Sequence, residues 1–193
     1  SKNEEEAEER KDKLGFWPLT GEIVAIGVLN PDTDKGAIYV NSQGEKMPEE
    51  LEPGIKIETG NEAAILQKWW EVVNGYNYLI TFNGRAFDVP FLMIRSAIQG
   101  IRPSKNFLSN RYTSMQKFEA VHVDLADQLT FYGASRRNFS LHFWAKAFGI
   151  TSPKEGGVTG DDVKELYGKK KYLEIARYNL GDLRATKALY NKW

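Results

Sequence analysis

The sequence predicts an α/β fold, and three observations carry that expectation. Short β-prone runs alternate with segments of helical apolar spacing, turn-forming residues separate the two kinds, and the last third of the chain is mostly helical. A chain of 193 residues, 41% of them hydrophobic, suits one domain spanning residues 1–193 with a real core. No internal repeat, low-complexity tract or linker marks a second domain.

The elements follow in order. Residues 1–13 are dense in charge, with Glu4, Glu5, Glu6, Glu8 and Glu9 ahead of Arg10, Lys11 and Lys13, and read as a solvated helix or frayed tail. Glu22 to Leu29 reads as a buried strand, and the Asn-Pro-Asp-Thr-Asp-Lys-Gly turn leads to a hairpin partner at Ala37 to Val40. A loop holding Pro48 and Pro53 precedes a helix over Asn61 to Val73. Tyr78 to Phe82 is a short strand that stops at Asn83-Gly84, and Phe87 to Gln99 continues as a helix with Pro90 in its first turn and Gly100 as its stop. Val121 to Leu125 is a further strand. Helices are expected at about Phe139 to Phe148, Gly160 to Tyr167 and Lys171 to Asn191.

Composition narrows the chemistry. With 26 basic and 26 acidic residues the net charge is zero, so contacts to a polyanion must be local. There is no cysteine, which excludes disulfides and thiolate metal sites, and His122 and His142 are too few for a histidine cage. A metal here would rest on oxygen ligands. No apolar run approaches the ~20 residues that span a bilayer, and the expected location is cytoplasmic.

Two motifs carry candidate chemistry. In Asn83-Gly-Arg-Ala-Phe-Asp88 a carboxylate opens a helix just past a strand end, where α/β sheets bind ligands. Gly84 lets a backbone or phosphate approach, and Asn83 can donate to a phosphate or sugar. The competing account is an ordinary helix start, with Pro two residues after Asp. In the last helix Tyr178 and Asp182 lie four residues apart, on one face, roughly 5–6 Å apart at Cβ. Alone, a half-buried tyrosine and a solvated aspartate would account for that pair.

Taken together, the two motifs resemble those of the DEDDy 3′–5′ exonucleases of the RNase H-like superfamily. The nearest likeness is to the predicted exonucleases related to the proofreading domain of family-B DNA polymerases. Thr20 to Val28 resembles the family's second strand, Phe82 to Asp88 its second motif, and Tyr178-Asn-Leu-Gly-Asp182 its third. Val121 to Leu125 and Ser140 to Gly149 resemble its middle segment. The resemblance implies an RNase H-like mixed sheet flanked by helices and a metal-dependent exonuclease acting on the 3′ end of DNA, single-stranded DNA foremost. It implies two divalent cations, Mg²⁺ or Mn²⁺, with Asp88 and Asp182 as ligands, Tyr178 orienting the attacking water, and Asn83 and Phe87 lining the path of the terminal nucleotide.

The chain departs from the family in one respect. The family's Asp-x-Glu motif should precede the strand at Glu22, and nothing from Ser1 to Pro18 matches it. The expectation is therefore a sheet without its first strand in residues 1–193. The strand lies outside this sequence, or the protein is an inactive nucleic-acid-binding or assembly module, or a partner segment completes the sheet. RNA remains open as an alternative substrate, because discrimination rests on the 2′-hydroxyl.

Substrate contacts are expected from Asn83, Gly84, Phe87, Arg95, Arg136 and Arg137. From Val89 to Phe118 there is no acid, while Arg95, Arg102, Lys105, Arg111 and Lys117 stand among Phe107 and Tyr112. Basic and aromatic residues so mixed suit single-stranded nucleic acid, with a solvated loop as the even alternative. Lys169 to Lys171 reads as a helix connector and Asp161-Asp162 as a helix start favoured by the dipole, while the resemblance implies a structural or supporting rather than catalytic role for Asp124.

Overall fold

A computed structural model describes residues 14–137, 139–151, 157 and 159–193. The charged segment 1–13 lies outside the described residues. The described residues form two strand groups. β1 (Ala25–Leu29) pairs antiparallel with β2 (Gly36–Asn41), β2 pairs parallel with β4 (Ile55–Gly60), and β3 (Glu50–Glu52) pairs antiparallel with β4. β5 (Tyr78–Thr81) and β6 (Val121–Asp124) form a separate parallel pair in which Thr81 faces Asp124. The helices are α1 (Glu62–Val73), α2 (Asp88–Ile98), α3 (Leu125–Leu129), α4 (Leu141–Ala147), α5 (Val163–Gly168) and α6 (Tyr172–Lys192). This is a mixed α/β arrangement of the RNase H-like kind.

The β1–β2 hairpin forms because Asn30 closes its turn. The Asn30 side-chain oxygen accepts from the Asp32 and Thr33 amides at 2.9 and 3.2 Å, and its own amide donates to Lys35 O. Along β2, side chains alternate between two cores, as the period of a strand requires. Tyr39 and Ala37 join Ile26, Leu66, Trp69, Trp70 and Val89 beneath α1 and α2. Ile38 and Val40 join Ile55, Ile57, Ala176 and Leu180 beneath α6. A third cluster, Leu125, Leu129 and Leu189 with Trp144 and Phe148 against it, packs α3, α4 and α6 on the β5–β6 pair.

The segment expected as a loop with Pro48 and Pro53 instead contains the β3–β4 hairpin. Pro53-Gly54 makes its turn, with Gly54 at φ +85°, and Ile55 and Ile57 point inward on alternate positions. α3 is also additional, a five-residue helix too short to leave a periodic signal. Gly160–Asp162 is a 3₁₀ turn, so the helix expected from Gly160 begins at Val163.

One polar contact ties the α1–α2 core to the entry of the chain. Glu62 opens α1, is 6% exposed, and receives the Ile23 amide at 2.8 Å, the Arg95 guanidinium at 2.6 and 2.8 Å, and the Gln99 amide at 2.6 Å. Arg95 also donates to Pro18 O at 3.1 Å. Among the described residues no helix is long and apolar enough to cross a membrane.

Candidate active site

The two strand groups leave a space between them. β1 has β2 as its hydrogen-bonded neighbour on one edge, and β5 has β6 on one edge. Val24 O and the Asn30 amide face β2, so by antiparallel alternation the backbone groups of Ala25, Gly27 and Leu29 face the other way. A cavity of about 1850 Å³ lies here, lined by both strands and by α1 and α6. That is about twice the ~1,000 Å³ upper range of small-molecule pockets.

Asp88, Tyr178 and Asp182 all line this cavity, together with Phe87. Two distant segments of sequence are thus brought to one place. Asp88 arrives from the turn after β5. There Asn83 takes a left-handed conformation (φ +62°), and Asn83 O accepts from the Ala86 and Phe87 amides at 3.2 Å. α6 carries the other two, and its close approach depends on Gly27. A Cβ at Gly27 would collide with Asn179 Oδ1 and with the side chains of Leu183 and Ile38. Asn179 Oδ1 is itself buried, without a hydrogen-bond partner, and on the cavity wall.

The electrostatics are those of crowded acids. Asp88 is exposed on the cavity wall, yet surrounding protein desolvates its carboxyl. That desolvation, with the charges of Asp124 and Asp182, pushes it up to about 6. The Tyr178 hydroxyl hydrogen-bonds Asp182 and is raised well above the usual phenol range, by burial first and then by that carboxylate. Tyr178 is therefore a protonated donor throughout the working pH range. Gly160 stands opposite it, where a Cβ would sit 3.8 Å from the phenol oxygen.

The other expected site residues are placed less uniformly. Phe87 is 43% exposed on the rim, in ring contact with Phe16 and Phe91. Asn83 is exposed in the turn, and Gly84 packs so closely on Thr81 that a Cβ would not fit. Arg95 is drawn inward to Glu62, with its side chain 11% exposed, and does not line the cavity. Arg136 and Arg137 are exposed on the loop after α3, outside the cavity lining.

Part of the basic loop also works inward, while Arg102 and Lys117 are exposed. Arg111 pairs with Asp127 at 2.6 Å, Lys105 donates to the carbonyls of Tyr76 and Glu119, and Phe107 is 1% exposed and stacked near Trp70. Tyr112 remains exposed. The feature the sequence understated is Asp124, which is 3% exposed and hydrogen-bonded to the turn that presents Asp88. Its signal was a carboxylate at a strand end, facing the end of the neighbouring strand.

His122, beside it on β6, is fully buried between Thr81 Oγ1 at 2.8 Å and Phe107 O at 3.2 Å. Burial holds its pKa down, to about 4. A histidine with a depressed folded pKa stabilises the fold fully above its unfolded value of about 6.5 and loses that contribution as pH falls toward 4. The loss should reach about 3 kcal/mol. Asp88, with a raised pKa, works in the opposite direction in this window and more weakly, because cavity water screens it. Chemical denaturation between pH 7 and 4 should therefore show a steeper decline in the wild type than in His122→Gln. Parallel curves would contradict the assignment.

Comparison with known proteins places these features in a wider set. Residues 18–193 match the family described as predicted 3′–5′ exonucleases related to the exonuclease domain of PolB. Over 104 residues, 53% of this chain, the sequence is 22% identical to DNA polymerase 1 of Sulfolobus acidocaldarius. That stretch covers 12% of the polymerase.

Proposed function

The chain belongs to the family of predicted 3′–5′ exonucleases related to the exonuclease domain of PolB, and from that premise we propose that it removes nucleotides from the 3′ end of single-stranded DNA. The observation that carries the proposal is the convergence of Asp88, Tyr178 and Asp182 on one cavity from segments 90 residues apart (178 − 88). Asp88 and Asp182 are hard oxygen donors whose charges repel, an arrangement that a cation relieves. They fit Mg²⁺ or Mn²⁺ in kind and fall short in number. Among the described residues no group of three or more histidine or acidic side chains can hold one ion.

The remaining donors are proposed to come from an extended strand between β1 and β5, carrying the Asp-x-Glu that the family resemblance implies. The outward-facing backbone of β1 and the size of the cavity support this reading. Two divalent cations, when bound, would supply an activated water and offset the charge gathering on the phosphate. The chain's own residues do the positioning. Asp182 receives the Tyr178 hydrogen bond, which leaves the phenol oxygen as an acceptor for a water proton. Phe87 offers a ring face to the terminal base. Arg136 and Arg137, exposed on the loop after α3, are proposed to contact the phosphates upstream.

Tyr178→Phe tests this role directly. It keeps the ring and removes the hydroxyl, so kcat on a single-stranded oligonucleotide should fall roughly 10- to 100-fold with KM little changed. An unchanged kcat would remove Tyr178 from the chemistry. The shortage of acids among the described residues also favours a second reading, an inactive module that binds single strands. That module would show salt-dependent binding with no shortening of the strand in Mn²⁺.

A further inference from the structure

We infer that Asp124 is a positioning residue that sets the place of Asp88, an inference that rests on the exonuclease reading of the site. The Asp124 carboxylate ends β6 and accepts three backbone N–H groups. Oδ1 takes those of Asn83 at 2.8 Å and Ala126 at 3.0 Å, and Oδ2 takes that of Arg85 at 2.9 Å. The Ala126 bond caps α3, an ordinary structural task. The other two reach across the β5–β6 pair to the turn 83–87, where no capping need exists.

That turn passes the constraint on to Asp88. Asn83 O accepts from the Phe87 amide, and Gly84 O accepts from the Val89 amide at 2.8 Å, so the neighbours of Asp88 hang on Asn83, which Asp124 holds, and on Gly84, which lies between the two residues it holds. Asn83 needs such fixing, since a non-glycine residue at φ +62° is held there by its surroundings. The Arg85 side chain secures the far side of the turn. It donates to Phe107 O at 3.3 Å and Asn110 O at 2.8 Å and stands 3.9 Å from Asp127. An ionised acceptor holding two amides at normal length is a strong, directional tie. The turn is thus clamped by its backbone to β6 and by its side chain to the 107–110 loop.

Serine at position 124 separates the two tasks. Its hydroxyl caps α3 through the Ala126 amide but is too short to hold Asn83 and Arg85 together. In the natural full-length protein, Asp124→Ser should lower kcat roughly 10- to 100-fold at nearly unchanged KM. Amide hydrogen exchange should rise roughly tenfold or more at Asn83 and Arg85 and stay constant at Ala126. Should Asp124→Ser not fold, Asp124→Asn serves for both measurements. Its amide offers one acceptor oxygen and must turn its NH₂ toward one of the donors. Wild-type kcat in the variant, or lost kcat with unaltered exchange at Asn83 and Arg85, would overturn the inference. Shortening that survives Asp88→Asn would instead sink the reading of this cavity as the exonuclease centre, while the exchange result still judges the clamp.

Discussion

Replacing Asp182 by asparagine in the full-length protein should abolish Mg²⁺- or Mn²⁺-dependent shortening of 3′ ends, with a loss on the order of 10³-fold or more. The size follows from what one carboxylate does here. Asp182 opposes Asp88 across the cavity and anchors the Tyr178 hydroxyl, so its charge serves both the cation and the water-orienting phenol. Asparagine keeps the shape and hydrogen-bonding reach and removes the charge. The fold should survive, because the charge that is lost was repelling Asp88, and thermal unfolding without metal should move by no more than a few degrees. A variant that folds and still shortens DNA at the wild-type rate would contradict the placement of the metal ligands.

The second large effect concerns stability. Glu62→Ala should cost about 3–5 kcal/mol, the range for stranding one member of a buried ion pair. For a domain of this size that corresponds to a fall in Tm of roughly 10 °C or more. The structure explains why it would be severe. The substitution leaves the Arg95 guanidinium, the Gln99 amide and the Ile23 N–H without their common acceptor. Glu62→Met with Arg95→Met should be milder than Glu62→Ala alone, because no buried charge remains unpaired. Equal losses in the two proteins would show that the pair contributes little and that packing alone holds α1 to α2.

The fate of Arg95 illustrates what a sequence conveys and what it withholds. An arginine in a basic, acid-free stretch has the composition of a nucleic-acid contact, but its partner Glu62 lies 33 residues upstream, beyond any local pattern. The same holds for Phe107 and Arg111, which were legible as an aromatic and basic mixture and turn out to face Trp70 and Asp127. Strong local signals fared better. The β1–β2 hairpin, α1, β5, α2, β6 and α6 all form within a few residues of their expected bounds, because apolar period and turn chemistry agree there. The β3–β4 hairpin was written in Pro53-Gly54 and the alternation of Ile55 and Ile57, and a short strand rich in Lys and Glu hid it.

The candidate site was legible as motifs and illegible as geometry. Spacing put Tyr178 and Asp182 on one helix face, and their hydrogen bond follows from it. No spacing reveals that Gly27 lets α6 approach, that Asn179 leaves an unpartnered oxygen in the cavity wall, or that Asp124 reaches the turn before Asp88. Each depends on contacts between residues far apart in sequence.

The central claim, metal-dependent removal of nucleotides from the 3′ end, is tested most directly with the full-length protein and a 5′-labelled single-stranded DNA oligonucleotide in Mn²⁺. A ladder of labelled products that shortens one nucleotide at a time, and that is suppressed by chelator, is the predicted result. Release of the 5′ label as a mononucleotide, or an intact strand at protein concentrations that saturate binding, would contradict it.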